Sequence, residues 1–310
     1  MKAFLFPGQG TQKVGMGTYL RELHPRLIEP LWREADEILG FPLTRLCADG
    51  PVERLRHMTV TQPAVFMCSY SALVAAREHG AVPDVIAGHS LGEYSALAAA
   101  DVLTWQEVLQ IVHRRGVLMA QVQQRVDGKM AAIIGCRIEQ VERICDQVRE
   151  DTGEVVEVAN HNEPLQAVVS GQSNAIDQLI KHFDAMTDVR VTVLRIGGPA
   201  HSSLMGSATP DFVDYLRRFG FQKPKVTLLS SSTAEAYRSG AQIKHQLGDQ
   251  LVHRVRWVDV MAELRRRLVS QTWELGPGKV LSGFVNRALP AVRTFRANDL
   301  ASFTAGVVGW

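Results

Sequence analysis

Gly88-His89-Ser90-Leu91-Gly92 sets a serine between two glycines, after the apolar run 82–87 and before the Ala- and Leu-rich stretch 95–103. Strand, sharp turn and helix in that order form the layout that lifts a serine hydroxyl clear of a sheet to attack an acyl carbon. Side chains at the glycine positions would crowd such a turn. Serine is a weak nucleophile at neutral pH and needs a base within hydrogen-bond reach. Of the ten histidines, His201 is the best candidate, lying downstream of the serine in the loop GGPAHSSLM, where Gly and Pro interrupt regular structure. Attack on an acyl carbon also leaves a negative oxygen that main-chain N–H groups must hold. The turn Pro7-Gly8-Gln9-Gly10, entered from the apolar run 3–6, presents such groups. Glu93, beside the turn, invites assignment as a third triad member, but its place next to the elbow favours a structural role.

The elements that must position these groups follow from the patterning. Helical spacing returns over 20–46, and 62–78 predicts a helix with Pro63 in its first turn. A further helix over 105–124 carries Arg114, Arg115 and Met119. Beyond Gly128 the elements shorten: strands at 130–135, 155–160, 166–171 and 189–196, with helices at 139–150 and 173–183 between them. This predicts a compact α+β insert with an antiparallel sheet, after which the chain returns to its main body. The fold class is therefore α/β: a large α/β-hydrolase-like domain with a parallel sheet (1–126 and 198–310) and a small inserted ferredoxin-like domain (127–197). Late landmarks are a strand at 226–231, a helix at 257–268, the strand TWEL and the turn Gly276-Pro277-Gly278.

Composition narrows the function. A chain of 310 residues with 46% apolar and 21% charged residues is that of an ordinary globular protein. A net charge of +2 is too near neutral for a protein that works mainly by binding nucleic acid phosphates. No apolar stretch approaches the roughly 20 residues a bilayer span needs, so no membrane partner is expected. The start of the chain reaches Pro7-Gly8 before a signal core could form, and the four cysteines lack CxxC spacing, which together predict a cytoplasmic, thiol-reduced enzyme. HExxH is absent and His245 and His253 lack companions at ligand spacing, so no metal is expected. Lys13 stands where a GxGxxG loop needs its third glycine, which argues against a nucleotide loop.

Several segments together carry a family resemblance: FPGQGTQKVGMG near the start, TQPAVF at 61–66, GHSLGEYSAL at 88–97, RRGVLM at 114–119, ANHN at 159–162, AHSSLM at 200–205 and ELGPGKVL at 274–281. Collinear over nearly the whole chain, they resemble the malonyl-CoA:acyl carrier protein transacylases of fatty acid synthesis and the related acyltransferases of polyketide synthases. The resemblance implies an S-malonyltransferase-like enzyme in which Ser90 takes the acyl group as an ester and His201 is base, then acid. It puts the oxyanion on the N–H groups of Gln9 and Leu91. It has a main-chain carbonyl orient the histidine, from the segment that holds Gln250. Arg115 would hold the free carboxylate of malonate, for which its planar fork suits, and Arg114 would point to solvent. His89, Met119, Ala200 and Gln250 are expected around the substrate, with Asn160 and Asn162 on the CoA or pantetheine arm.

The substrates implied are malonyl-CoA or a related acyl-CoA and a holo acyl carrier protein, with no bound cofactor. Carrier proteins are acidic, so Lys181, Arg190 and Arg265 to Arg267 are candidates to steer them, although the last three also fit an ordinary solvated face. Thr11, Ala200 and Arg254 depart from the common pattern, which has Ser, Phe or Ser, and Pro at those places. The small Ala200 leaves substituted malonyl groups open. Ala200 and Arg254 also lean the reading towards a discrete polyketide-type acyltransferase. The alternatives are an acyl hydrolase of the same fold, with water in place of the carrier thiol, and a silent docking module.

Overall fold

The computed structural model describes residues 1–184, 186–194 and 198–310. The last two residues of the strand expected at 189–196, and the expected domain boundary at Gly197, lie outside them. Within the described residues the strands are, in chain order, β1 (Lys2–Phe6), β2 (Val85–Gly88), β3 (Gly128–Ile134), β4 (Val156–Glu163), β5 (Gln166–Gln172), β6 (Arg190–Val193), β7 (Thr227–Leu229), β8 (Gln271–Glu274) and β9 (Arg293–Arg296). They form two sheets, ordered β7-β2-β1-β8-β9 and β4-β5-β3-β6.

The first sheet is parallel throughout. The central strand β1 is covered on both faces, which explains why it reads as an unbroken apolar run. Phe4 and Phe6 enter the core under the helices of one face, while Ala3 and Leu5 enter the core of the other. The chain builds outward from β1 to β2 and β7, then crosses to β8 and β9. Loops leaving β1 and β8 therefore diverge, and open parallel sheets form their binding crevice at such a point.

The second sheet is antiparallel, and its chain order of strand, helix, two strands, helix and strand is the ferredoxin-like arrangement. The helices Ile138–Thr152 and Ser173–Phe183 bury Val141, Cys145, Val148, Ile176 and Leu179 against one face of it. The other face carries Met130, Ala132 and Val168 and looks towards the first sheet's loops.

Local chemistry shifts some expected boundaries. The helical pattern over 20–46 divides into Thr18–Leu23, Pro25–Leu39 and Leu43–Asp49, because Pro25 opens one helix and Gly40, at φ 73°, closes it. Pro63 is not in a first turn: its helix starts at Met58, which puts the ring inside Met58–Glu78. The ring removes the bond to the carbonyl four residues back, and burial of most of that helix's side chains offsets the loss. The helix after Ser90 is Gly92–Ala99, earlier and shorter than the Ala-rich stretch suggests.

Two glycines are required where β2 meets that helix. A Cβ on Gly88 would lie 2.1 Å from the Gly92 carbonyl carbon, and one on Gly92 would lie 2.0 Å from the Phe6 carbonyl oxygen. Backbone must move for either. Gly92→Ala is therefore expected to lower the unfolding midpoint, by an overpacking cost of about 1–3 kcal/mol. A denaturant titration giving the unsubstituted midpoint would contradict this close approach.

Candidate active site

Ser90 leaves the carboxyl end of β2 at φ 52°, a left-handed conformation that non-glycine residues hold only where surrounding structure imposes it. Its Oγ lies 2.6 Å from His201 Nε2. The N–H groups of Gln9 and Leu91 meet no protein acceptor among the described residues. The turn bearing Gln9 abuts the elbow, since a Cβ on Gly8 would sit 2.7 Å from the His89 carbonyl oxygen. Thr11 Oγ1 donates to the Gly8 carbonyl at 2.9 Å and holds that turn.

The other side of the His201 ring determines its protonation. Nδ1 lies 3.0 Å from the Gln250 carbonyl oxygen and 2.9 Å from that of His253. Carbonyl oxygens only accept, so Nδ1 carries the hydrogen and Nε2 is left with a lone pair facing Ser90. Two carbonyls thus serve where the family pattern implied one. Burial, reinforced by the nearby Arg115 charge, pushes the His201 pKa down to about 3, so at neutral pH the ring is neutral with its Nε2 lone pair free.

Gln250, expected among the substrate contacts, lies instead behind His201. It is 1% exposed, and its side-chain amide donates to the Ser90 carbonyl at 3.2 Å and to Glu93 at 2.6 Å. Glu93 does not touch His201 in this arrangement. Its buried carboxylate accepts from Ser231 N–H (3.2 Å), Ser231 Oγ (2.6 Å) and Tyr237 Oη (2.7 Å) as well as from Gln250. Burial raises its pKa and the four donors oppose that rise. Glu93 therefore ties the elbow helix to the segment whose carbonyls face His201. Sequence reasoning missed Ser231 and Tyr237, which lie 138 and 144 residues from it.

Arg115, on the helix Trp105–Arg125, is 1% exposed and reaches Ser90 from a third direction. Its Nη2 donates to Ser90 Oγ at 3.4 Å and its Nη1 to Gln62 Oε1 at 2.9 Å, while Gln62 Nε2 contacts Met119 Sδ at 3.2 Å. Gln62 is a third residue the sequence left unassigned, although it sits in the TQPAVF segment. The guanidinium carbon lies 5.5 Å from the Tyr94 ring centre. No carboxylate pairs with Arg115 among the described residues, and its Nε has no partner. Arg114 does not point freely to solvent: its guanidinium carbon lies 5.9 Å from the Tyr215 ring centre.

A cleft of about 400 Å³ lies between the two sheets, lined by Asn160, Asn162, Val280 and Phe284 among others, and it meets the site at Gln9 and at His89, the neighbour of Ser90. The two asparagines face it because of a β-bulge. Val156 and Val158 point into the helix-covered core of the insert, and strict alternation would send 160 and 162 the same way. The register shifts between Val158 and Asn160, and both asparagines join Ala132 and Val168 on the cleft face. Asn162 Oδ1 lies 2.8 Å from His89 Nε2, and the His89 ring packs edge-on to Trp257. Burial lowers the pKa of His89. Ala200 packs between the main core and the cleft face of the insert.

An adjoining crevice shares Gln166, Val280 and Phe284 with the cleft and carries Arg190, Lys279 and Arg287, the last paired with Glu163 at 2.7 Å. Of the other expected cations, Arg266 and Arg267 pair with Glu263, Arg265 donates to the Ala288 carbonyl, and Lys181 to Gln178. Among the described residues no three His, Cys, Asp or Glu side chains group as metal ligands, and no helix is long and apolar enough to cross a membrane.

Comparisons with known proteins bear on this site. The family model described as "Acyl transferase domain" matches residues 3–268. The chain is 37% identical to the polyketide biosynthesis malonyl CoA-acyl carrier protein transacylase PksC of Bacillus subtilis, covering 93% of this chain and 96% of that protein. It is 35% identical to the malonyl CoA-acyl carrier protein transacylase of Haemophilus influenzae, covering 98% and 97%. Among solved structures it is similar to an acyl carrier protein S-malonyltransferase from Vibrio cholerae, with a TM-score of 0.91 at 35% identity over 98% of this chain and 99% of that one. A complex titled as a type II PKS acyl-carrier protein with its malonyl-transacylase matches with a TM-score of 0.95 at 32% identity, over 100% and 99%.

Two outcomes follow from the geometry. Glu93→Ala leaves three buried donors, Ser231 N–H, Ser231 Oγ and Tyr237 Oη, without this acceptor, each costing about 1–3 kcal/mol, so the variant should unfold at clearly lower denaturant than Glu93→Gln. Equal midpoints would contradict the network. Because the His201 pKa lies far below 6.5, Nε2 stays unprotonated as pH falls through that value. The rate of acylation of Ser90 at low substrate is therefore expected to hold level from pH 8 to below 6, and a break at 6.5 in that profile would contradict the environment described.

Proposed function

Because the chain belongs to the acyl transferase family, we propose that it moves a malonyl or substituted malonyl group from coenzyme A to the phosphopantetheine thiol of a holo acyl carrier protein, through an ester on Ser90. The observation that carries this reading is Arg115, a buried guanidinium without a carboxylate partner, 3.4 Å from the serine hydroxyl. A buried charge left unpaired costs several kcal/mol, and an acyl group bearing its own carboxylate supplies the partner. Gln62 occupies Nη1, so Nε and Nη2 form the edge that a carboxylate can take with two parallel hydrogen bonds.

In the first half-reaction Ser90 Oγ attacks the thioester carbonyl as its proton passes to His201 Nε2. The N–H groups of Gln9 and Leu91 receive the oxyanion, a contribution of about 3 kcal/mol per donor to the barrier. His201 returns the proton to the departing CoA sulfur. In the second half-reaction the carrier's thiol gives its proton to His201 and attacks the ester, and Ser90 Oγ recovers a proton as the acyl group leaves. The hydrogen stays on Nδ1, donated to the Gln250 and His253 carbonyls, in both halves. No resident cofactor enters this scheme, and the CoA thioester is a substrate.

The cleft past Asn160, Asn162 and His89 suits an extended pantetheine arm, and Arg190 and Lys279 of the adjoining crevice suit an acidic carrier. Residues 127–197 are read as the insert and 1–126 with 198–310 as the catalytic body, supported by the separation of the two sheets. The reading spans fatty acid and polyketide synthesis: a relative named for polyketide biosynthesis matches at 37% identity, and one named as a malonyl CoA-acyl carrier protein transacylase, with no pathway in its name, at 35%. The four cysteines are free and buried, in keeping with the reducing cytoplasm proposed for the chain.

Intact-protein mass spectrometry after mixing with malonyl-CoA and acetyl-CoA in competition tests this. The chain is expected to gain a malonyl adduct in preference to acetyl, and to pass it to a holo carrier rather than to water. Arg115→Ala should lose the preference and Ser90→Ala should gain no adduct. An adduct that survives Ser90→Ala, or acetyl loading as fast as malonyl in the unsubstituted chain, would refute the assignment.

A further inference from the structure

The segment that presents carbonyls to His201 is fastened to the insert. Val255 N–H donates to the Ala159 carbonyl at 2.9 Å, and His161 N–H donates to the Val255 carbonyl at 2.8 Å, so the segment pairs as a short parallel bridge with β4. Arg254 adds a side-chain fastening. Its Nε donates to the Val158 carbonyl at 3.2 Å and its Nη1 pairs with Glu142 Oε1 at 2.7 Å on the helix Ile138–Thr152. Arg254 shares a peptide unit with the His253 carbonyl, which lies 2.9 Å from His201 Nδ1. A proline at 254 could make neither side-chain contact.

Resting on the acyl-transfer reading above, we propose that Arg254 is a positioning residue of the reaction: by bolting the His253–Arg254 peptide to the insert, it fixes the carbonyl that aims His201 at Ser90. The physical reason lies in how that carbonyl is reached. His253 is exposed, and among the described residues its ring bonds only to the Asp249 carbonyl one turn back, which does not hold the following peptide against the insert. The two backbone bonds of Val255 restrain one end of this peptide, and the guanidinium, spanning strand and helix, restrains its rotation. β4 also carries Asn160 and Asn162 on its cleft face. One strand thereby lines the path of the arm and braces the base.

Steady-state transfer by the full chain, with malonyl-CoA and a holo carrier, provides the test. Arg254→Met removes both contacts and should lower kcat by about tenfold, the scale of a hydrogen bond from a charged donor, with KM for malonyl-CoA unchanged, because Arg115 and the cleft are untouched. Glu142→Gln, which leaves the segment itself intact, should lower kcat by about threefold, as for a partly exposed ion pair. The double variant should match Arg254→Met, and Arg254→Lys should recover part of the loss through Glu142. The loss must appear per folded molecule, with active sites counted by the Ser90 acyl adduct. An unchanged kcat in Arg254→Met, a rise in KM in place of a fall in kcat, or a loss accounted for by fewer active sites would overturn the proposal. Failure of the unsubstituted chain to load Ser90 would instead remove the acyl-transfer reading on which it rests.

Discussion

Two main-chain carbonyls, those of Gln250 and His253, determine where the proton sits on His201, and the chemistry of the site depends on that placement. With Nδ1 committed as a donor, Nε2 can only accept, and it faces the Ser90 hydroxyl at 2.6 Å. A carboxylate in that position would stabilise an imidazolium more strongly. Carbonyls fix the tautomer while leaving the ring neutral, and the nearby Arg115 charge further disfavours protonation. The acid available in this neighbourhood, Glu93, is used one step further back, where its four donors join the elbow helix to the carbonyl-bearing segment.

The same constraint explains why the site tolerates a buried cation. Arg115 costs stability in the free protein, and its desolvation is only partly relieved by Gln62 and the Tyr94 ring. On the proposed reading a dicarboxylic acyl group would pair that charge as it arrives, and part of its binding would come from relieving a cost already present in the fold. A neutral acyl group of similar size would obtain no such relief, so the proposed discrimination is electrostatic more than steric. Pairing Arg115 would also remove one of the influences that hold the His201 pKa down.

Much of this was legible in order along the chain. The elbow could be read because its glycines are forced by clashes within a few residues, and Arg115 because the family pattern singles it out. The insert could be read because short alternating strands and two helices follow one another without a long excursion. What could not be read lies across the fold. Pro63 suggests a helix start, yet the buried helix begins at Met58, since tertiary burial outweighs one lost backbone bond. Alternation places Asn160 and Asn162 with Val158, whereas the bulge after Val158 turns them to the cleft. Gln250 can be located near the histidine from the pattern, but whether its side chain or its carbonyl does the work depends on Glu93, Ser231 and Tyr237, which no local signal connects.

Nitrogen-15 NMR of the His201 ring tests the central claim most directly, because the two ring nitrogens report protonation separately. The account predicts a neutral ring at pH 7 with the hydrogen on Nδ1 and an unprotonated Nε2, unchanged when the sample is brought to pH 5.5. A ring protonated on both nitrogens at pH 7, or one carrying its hydrogen on Nε2, would contradict it.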